Sequence, residues 1–519
     1  MYLTQSIKRA AQIVGRQTAT DDHGRRRTWI EFVDRVARLA TGLKEAGLAP
    51  GDRVAMLALN SDRYLEYFFG TVWAGAVFVP INTRLALPEF EYWLNDSGSR
   101  VLMVDDTFLS VARDLDGRMA SVEHVIFVGD DPAPLGLRHY ESLIDGMAPA
   151  ADALRGGDDL AGLFYTGGTT GVSKGVMLSH RNLVSNALNV VPGIGFNEAT
   201  RWLHSAPMFH LADGTATFGV SLGAGSHYFI PGFDPVAACQ AIERHRITNS
   251  LFVPTMVNML VNHPRLAEFD LSSLERVLYG ASPMPEAVIE KAMEVLPRVQ
   301  FIHAYGQTEC APAVTIMPPE YHVLDGPLAG RIKSCGRAVL SVEVRVVDDT
   351  GAEVPAGTVG EICARGPNVM LGYWNKPELT AATIRDGWIH TGDGGYMDED
   401  GFVYVVDRVK DMIISGGENV YSAEVENAIY ELDAVIECAV IGVPDERWGE
   451  RVHAIVRLSD AATLTEAALF DHCHQRIAGY KCPRSVEFQT EPLPLSGAGK
   501  ILKSKLREPY WAGRDRQVG

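Results

Sequence analysis

Leu160-Ala-Gly-Leu-Phe-Tyr165-Thr-Gly-Gly-Thr-Thr-Gly-Val-Ser-Lys-Gly175 carries the strongest signal in the chain. Its apolar opening, Leu160 to Phe164, reads as a buried strand. From Tyr165 on, four glycines, three threonines and one lysine crowd into eleven residues, making a loop rich in N–H and hydroxyl donors. Such a loop can wrap a polyphosphate, with the lysine to neutralise it. A plain Gly/Thr turn has the same composition, so composition alone leaves the two readings even. The loop is not a Walker A motif, because Lys174 lies between Ser173 and Gly175. The later Ser496-Gly-Ala-Gly-Lys500 also fails that pattern, with Pro494 in the place of the first glycine.

Outward from this stretch, short apolar runs alternate with amphipathic ones. Arg53 to Leu59, Ala76 to Pro80, Val101 to Val104 and Val125 to Val128 read as strands, and Trp29 to Ala46 and Pro88 to Ser97 as helices. Proline at the head of the second helix suits a first turn. Leu251-Phe-Val-Pro254 and Arg276-Val-Leu-Tyr-Gly280 continue the strands. The alternation predicts βαβ units and an α/β fold of mainly parallel sheets. After Val339 the pattern changes to antiparallel strands at 342–347 and 360–364, with turns at 348–351 and 355–357, expected to form a small β-barrel-like part. A further α/β pattern starts near Asp411: a helix at 424–432, then strands at 435–443 and 452–458. The boundary is placed at Arg408–Lys410, giving domains 1–409 and 410–519, the second a small mobile α+β unit.

At 519 residues two or more domains are expected. With 22% charged residues the usage is that of a soluble globular chain, and a net charge of −18 without a basic run argues against nucleic acid. Seven scattered cysteines without a CxxC pair point to reduced thiols in the cytoplasm. His472-Cys473-His474 reads as ordinary helix residues rather than a metal site, since neighbours on a helix point apart. The most apolar stretch, Tyr67 to Ile81, is broken by Gly70, Gly75 and Pro80 and reads as a buried helix running into a strand, too short to cross a bilayer. No signal-peptide core stands at the N-terminus.

Tyr165 to Gly175 resembles the phosphate loop of the adenylate-forming superfamily: acyl-CoA synthetases, non-ribosomal adenylation domains and beetle luciferases. Five further motifs follow in that family's order: 206–210, Tyr305-Gly-Gln-Thr-Glu309, Thr391-Gly-Asp393, Asp407 to Asn419 and Pro494 to Lys500. The resemblance spans essentially the whole chain. It implies an ATP-dependent, AMP-forming acyl-CoA synthetase, with ATP, Mg²⁺ and coenzyme A as cofactor or co-substrates. Integral membrane association is not implied, and a homodimer is admitted.

The resemblance also assigns residues. Thr166, Gly167, Gly168, Thr169, Thr170, Gly171 and Lys174 would hold ATP phosphates, and Gly280, Ala281, Ser282, Tyr305 and Gly306 the adenine side. Thr308 and Glu309 would serve ATP, with Glu309 on Mg²⁺, and Asp393 and Arg408 would meet the ribose. Lys500 is the expected catalytic lysine, bridging carboxylate and α-phosphate. Lys410 is the hinge about which the C-terminal domain rotates between half-reactions, the starting arrangement being the one competent for adenylation. Ser415, Gly416 and Gly417 would then reach the pantetheine arm, with Arg447 and Trp448 nearby. His210, Gly214, Val253, Cys310 and Ala313 would line the acyl pocket, His210 counted also with the catalytic set.

Amino-acid-activating relatives carry an aspartate where His210 stands, which argues against an amino-acid substrate. A fatty or an aryl acid both fit, the motif wording resembling fatty acyl-CoA ligases slightly more. Two other readings stay open: a stand-alone adenylation enzyme loading a carrier protein, and a non-catalytic nucleotide-binding protein. Luciferase-type oxygenation shares the first half-reaction and is only weakly disfavoured.

Overall fold

The computed structural model describes residues 1–166, 173–408, 411–416, 418–445, 447–459, 462–497 and 499–512. Two large sheets carry the N-terminal part. In the first, Leu160–Thr166, Val77–Pro80, Arg53–Leu57, Ser99–Val104, His124–Phe127 and Arg138–His139 run parallel in that spatial order. Lys174–Ser179 and Gly372–Tyr373 add antiparallel strands at one edge. The second sheet has nine strands, with Thr18–Asp22, Ser226–Phe229, Arg201–His204, Asn249–Leu251, Arg276–Gly280 and Gln300–Gly306 parallel at its centre.

The helix Asp62–Ala74 lies between the sheets, and all thirteen of its residues are buried. Ser61 caps its start by accepting the Tyr64 N–H, and Gly75, at φ 89°, ends it in the left-handed conformation. A helix wrapped by two sheets is apolar all round, which is why Tyr67 to Ile81 reads as nearly continuous hydrophobic sequence. Its Phe68 ring meets Phe78 of the first sheet at 5.0 Å and Phe218 of a helix on the second at 5.8 Å, so one aromatic cluster joins both layers.

The run 251–254 departs from expectation. The strand stops at Leu251, and Pro254 opens the helix Pro254–Val261, because proline lacks the N–H a strand needs but suits a first helical turn. Beyond it, Glu343–Val347, Gly360–Arg365, Trp388–Met397, Ile384–Arg385 and Val403–Arg408 form a small antiparallel sheet. The C-terminal α+β domain is built on Gly449–Leu458, flanked by Val435–Asp445, Ile413–Ser415 and Ser485–Gln489, with the helices Ser422–Tyr430 and Glu466–Arg476 packed on it. Within the latter helix Cys473 is buried, and His472 and His474 meet backbone carbonyls of Ala428 and Phe470. Among the described residues no helix is long and apolar enough to cross a membrane.

Gly162 pairs with Phe78 across the first sheet, and an added Cβ there would lie 2.0 Å from the Phe78 ring. That ring is held by Phe68, Phe164 and Phe218 and has nowhere to turn. Gly162→Val is therefore expected to lower stability by about 1–3 kcal/mol. The measurement is urea unfolding, where the midpoint should fall with the slope unchanged.

Candidate functional site

The site is assembled where neighbouring parallel strands end. Arg276–Gly280 and Gln300–Gly306 finish side by side, Gly280 opposite Ala304. Ligands of open α/β sheets bind outside such carboxyl ends. Gly280 has φ 153°, and a Cβ on it would fall 2.1 Å from the Ala304 carbonyl oxygen. Gly306 is equally tight, its added Cβ lying 1.9 Å from the Pro312 oxygen. Ala281 follows at φ 68°, an unusual conformation for alanine, and turns the chain toward Ser282. Only glycine fits at 280 and 306, which explains both residues without a ligand.

Two carboxylates stand beside this edge, each held by a phenol. Tyr305 donates its hydroxyl to Asp393 Oδ2 at 2.8 Å, and Tyr373 donates to Glu309 Oε1 at 2.8 Å. Burial, then the neighbouring carboxylate, raises the pKa of each phenol, so both remain O–H donors. Asp393 faces Arg408 across the antiparallel ladder. Thr308 is buried at the head of the turn Thr308–Cys310, and Met370 ties that turn down by donating its N–H to the Glu309 carbonyl at 2.8 Å.

Thr166 and Lys174 are register partners, so the two strands that flank the phosphate-loop candidate pair at its base. Lys174 Nζ sits 4.9 Å from the centre of the Tyr373 ring, within cation–π range. Lys174, Tyr373 and Glu309 thus form one group. Gly167, Gly168, Thr169, Thr170 and Gly171 lie outside the described residues, as do Lys410 and Gly417; of Arg408 the backbone alone is described.

His210 caps the helix Leu211–Gly223, its Nδ1 accepting the Ala212 N–H at 3.1 Å. Burial and the Lys500 ammonium depress its pKa to about 3, so the ring is neutral in ordinary buffers. Lys500 therefore stands close enough to His210 for its charge to be felt. The loop carrying it lies against the N-terminal part: Arg84 donates to the Ser496 carbonyl at 3.0 Å, and Thr255 to that of Gly499 at 3.4 Å. Gly499, at φ 79°, passes beside Val253, and a Cβ on Gly497 would strike the Asn82 amide.

The other acyl-pocket candidates are less open. A Cβ on Gly214 would meet the Leu211 side chain at 2.7 Å, so Leu211 stands over that glycine. Cys310 and Ala313 are buried, and Asn368 Nδ2 clamps both their carbonyls at 2.7 and 2.9 Å. Ser415, Gly416, Arg447 and Trp448 gather separately in the C-terminal domain. Gly416, at φ 65°, donates its N–H to the Trp448 carbonyl, and the indole is flanked by Arg447 and Arg484 at 4.7 and 4.4 Å.

Tyr373 and Asn368 are absent from the sequence-based set. The only sequence hint of the first is Gly372-Tyr-Trp374, three residues after a motifless loop.

A family model described as AMP-binding enzyme matches residues 7–374, and one described as AMP-binding enzyme C-terminal domain matches 424–500. The chain belongs to the AMP-binding enzyme family. It is an AMP-forming carboxylate–CoA ligase, using ATP and CoA. Its relatives include a feruloyl-CoA synthase of Amycolatopsis sp, 42% identical over 97% of this chain and 98% of that one. A long-chain-fatty-acid–CoA ligase of Mycobacterium tuberculosis is 36% identical, with 94% of each covered. Among solved structures, an anthranilate CoA ligase in complex with anthranoyl-AMP matches with a TM-score of 0.90, at 30% identity over 98% and 97% of the two chains.

The Tyr305–Asp393 bond is the contact of the family member's site most open to test. A hydrogen bond to a charged group is worth about 1.5–3 kcal/mol. Tyr305→Phe is expected to lower stability by about 1.5–3 kcal/mol, as the midpoint of urea unfolding would read.

Proposed function

We propose that this ligase activates an aryl-bearing carboxylic acid, with Lys500 as the cation that brings acid and ATP together. The observation that carries the role of Lys500 is its position. Its charge is felt at His210, while the loop it rides on is fastened to Arg84 and Thr255 of the N-terminal part. A carboxylate and an α-phosphate repel each other, and an ammonium between them offsets that repulsion as they approach to about 3 Å. His210, neutral beside it, lines the pocket without competing for the acid.

The chemistry proceeds in two displacements. A carboxylate oxygen attacks the α-phosphorus of ATP, the α–β phosphoanhydride bond breaks, and pyrophosphate leaves along the loop between Thr166 and Lys174. The thiolate of CoA then attacks the acyl carbonyl carbon, the bond to AMP breaks, and AMP departs. In our reading Asp393, held by Tyr305, and Arg408 accept and donate at the ribose, while Gly280, Ala281 and Ser282 flank the adenine. Thr308 and Lys174 face the phosphates. Glu309 offers the hard carboxylate oxygen that Mg²⁺ takes, beside the loop that would carry the phosphates, so the donor set fits that ion. Bound there, Mg²⁺ supplies charge neutralisation to the departing pyrophosphate.

For the second step we place Ser415, Gly416 and Gly417 along the pantetheine arm, with the Trp448 face and its two arginines toward the CoA nucleotide. The domains divide at 409/410, and Lys410 is the pivot that takes Lys500 away and brings this group in. The seven cysteines are unpaired and buried, which suits a reducing compartment such as the cytoplasm.

The aryl preference rests on the feruloyl-CoA synthase being more similar than the fatty-acid ligase, and on the aryl adenylate held by the matching solved structure. Two measurements check these readings. Lys500→Ala should lower pyrophosphate release by about 10²–10³ while sparing thioester formation from pre-made adenylate; equal loss in both steps would remove Lys500 from the adenylation role. In a panel of acids, hydroxycinnamates should give higher kcat/KM than medium- and long-chain fatty acids. The reverse order would sink the aryl reading and leave the ligase chemistry standing.

A further inference from the structure

Away from the strand ends, three different kinds of metal donor converge in the small antiparallel sheet. Cys363 on Gly360–Arg365 lies directly opposite His390 on Trp388–Met397, with Glu361 two residues before the cysteine. The donor atoms of the three side chains all lie within 4.8 Å of one another. His390 Nδ1 is 2.7 Å from Glu361 Oε2 and 3.5 Å from Cys363 Sγ. Both contacts use the same ring nitrogen. A nucleophilic relay needs the sulfur on one nitrogen and the carboxylate on the other, and Cys363 is fully buried, so catalysis by this cysteine is ruled out by geometry.

Convergence on one point is instead what a coordinated cation requires. Tetrahedral zinc, at about 2.3 Å from sulfur and about 2.0 Å from nitrogen, sets those two donors about 3.5 Å apart. That is the distance found between Cys363 Sγ and His390 Nδ1. The nitrogen–oxygen edge of the same tetrahedron is about 3.3 Å. Glu361 therefore has to draw back by about half an ångström, which its 28% exposed side chain permits. Arg345, opposite Cys363 on the next strand, has its guanidinium stacked on Trp388 at 4.2 Å.

The position of the trio gives it a consequence for the nucleotide site. Glu361 pairs with Gly394 and Cys363 with His390, so Thr391, Gly392 and Asp393 bulge out opposite Ile362. Glu361 Oε1 accepts the Gly392 N–H at 3.0 Å, and Thr391 Oγ1 donates to the Ile362 carbonyl at 2.6 Å. The bulge that presents Asp393 is pinned at its foot by the same carboxylate that faces His390.

We propose that Glu361, Cys363 and His390 bind a divalent cation of the zinc class at the foot of the Thr391–Asp393 bulge. Thiolate with imidazole selects such an ion over Mg²⁺, so the site differs in chemistry from the one at Glu309. On binding, the Cys363 S–H bond breaks, its proton passes to solvent, and the sulfur lone pair forms the bond to the metal. The imidazole proton moves to Nε2, freeing Nδ1, and the Glu361 carboxylate gives the third bond. Thiolate and carboxylate together balance the ion's two charges, and water completes the fourth position.

Co²⁺ is the probe, added to the reduced, chelator-treated full chain and followed by absorption. The expected result is one Co²⁺ per chain with a near-ultraviolet thiolate-to-cobalt band, displaced by Zn²⁺. Cys363→Ser should abolish the band. Glu361→Gln, at a partly exposed position, should keep the fold and weaken Co²⁺ binding by about tenfold or more. Absence of the band in the unsubstituted protein, or a band undiminished in Cys363→Ser, overturns the proposal. Should circular dichroism show Cys363→Ser unfolded, Glu361→Gln decides: unchanged Co²⁺ affinity overturns it equally.

Discussion

A Cβ at Gly280 would press on the Ala304 oxygen and one at Gly306 on the Pro312 oxygen, so the ends of two neighbouring strands are locked at backbone contact. The rest of the site is built out from that contact. Because Gly280 and Gly306 end together, the turns that follow them, through Ala281 and through Thr308, leave the sheet at the same edge. The hairpin of the other large sheet reaches that edge through Lys174, which lies over the Tyr373 ring. Glu309, Tyr373 and Lys174 come from three separate segments, yet the strand register sets each of them within one residue.

Electrostatics then decides which groups carry charge there. The chain has 65 acidic residues against 47 basic ones, so an anionic substrate has to be met by locally placed cations. Lys174, at the head of a strand, and Lys500, on a loop, are two such cations. The two carboxylates at the site each accept a hydrogen bond from a tyrosine phenol. A phenol fixes direction without neutralising charge. His210 is kept neutral by burial, so its ring adds no charge beside the Lys500 ammonium.

Much of this was legible in the sequence wherever the signal is local. The helix Trp29–Glu45 is read from its amphipathic pattern, and the buried helix Asp62–Ala74 from the apolar stretch that starts at Tyr67. The order of motifs was enough to name the family. What escaped is long-range. Tyr373 and Glu309 are 64 residues apart, and Glu361 and His390 are 29 apart, so neither pair leaves a periodicity to read. The choice between a fatty and an aryl acid stayed open in the sequence, because pocket lining depends on side-chain direction. Leu211 standing over Gly214 shows how little spacing says about that.

The contrast between the two ends of the C-terminal helix–loop segment bears on how the lysine could be moved. Lys503 is partly buried; desolvation opposes its charge, yet Glu426 at 2.7 Å, with Asp407 and Asp411, raises its pKa, and it also donates to Ser422 at 2.6 Å. Asp407, at the end of the last strand of the small sheet, takes both the N–H and the hydroxyl of Ser422 at 2.6 and 2.5 Å. A buried charged network of this kind is costly to break, since any one partner left behind keeps an uncompensated charge. The loop three residues earlier is held to the N-terminal part by hydrogen bonds from side chains to the carbonyls of Ser496 and Gly499, and water can replace those donors at little cost. The domain therefore holds its own end of the segment firmly and the shared end lightly. The proposed rotation about Lys410 would separate the light contacts first and would have to keep the Asp407–Ser422 pair, which joins the two domains, or exchange it for another of equal strength.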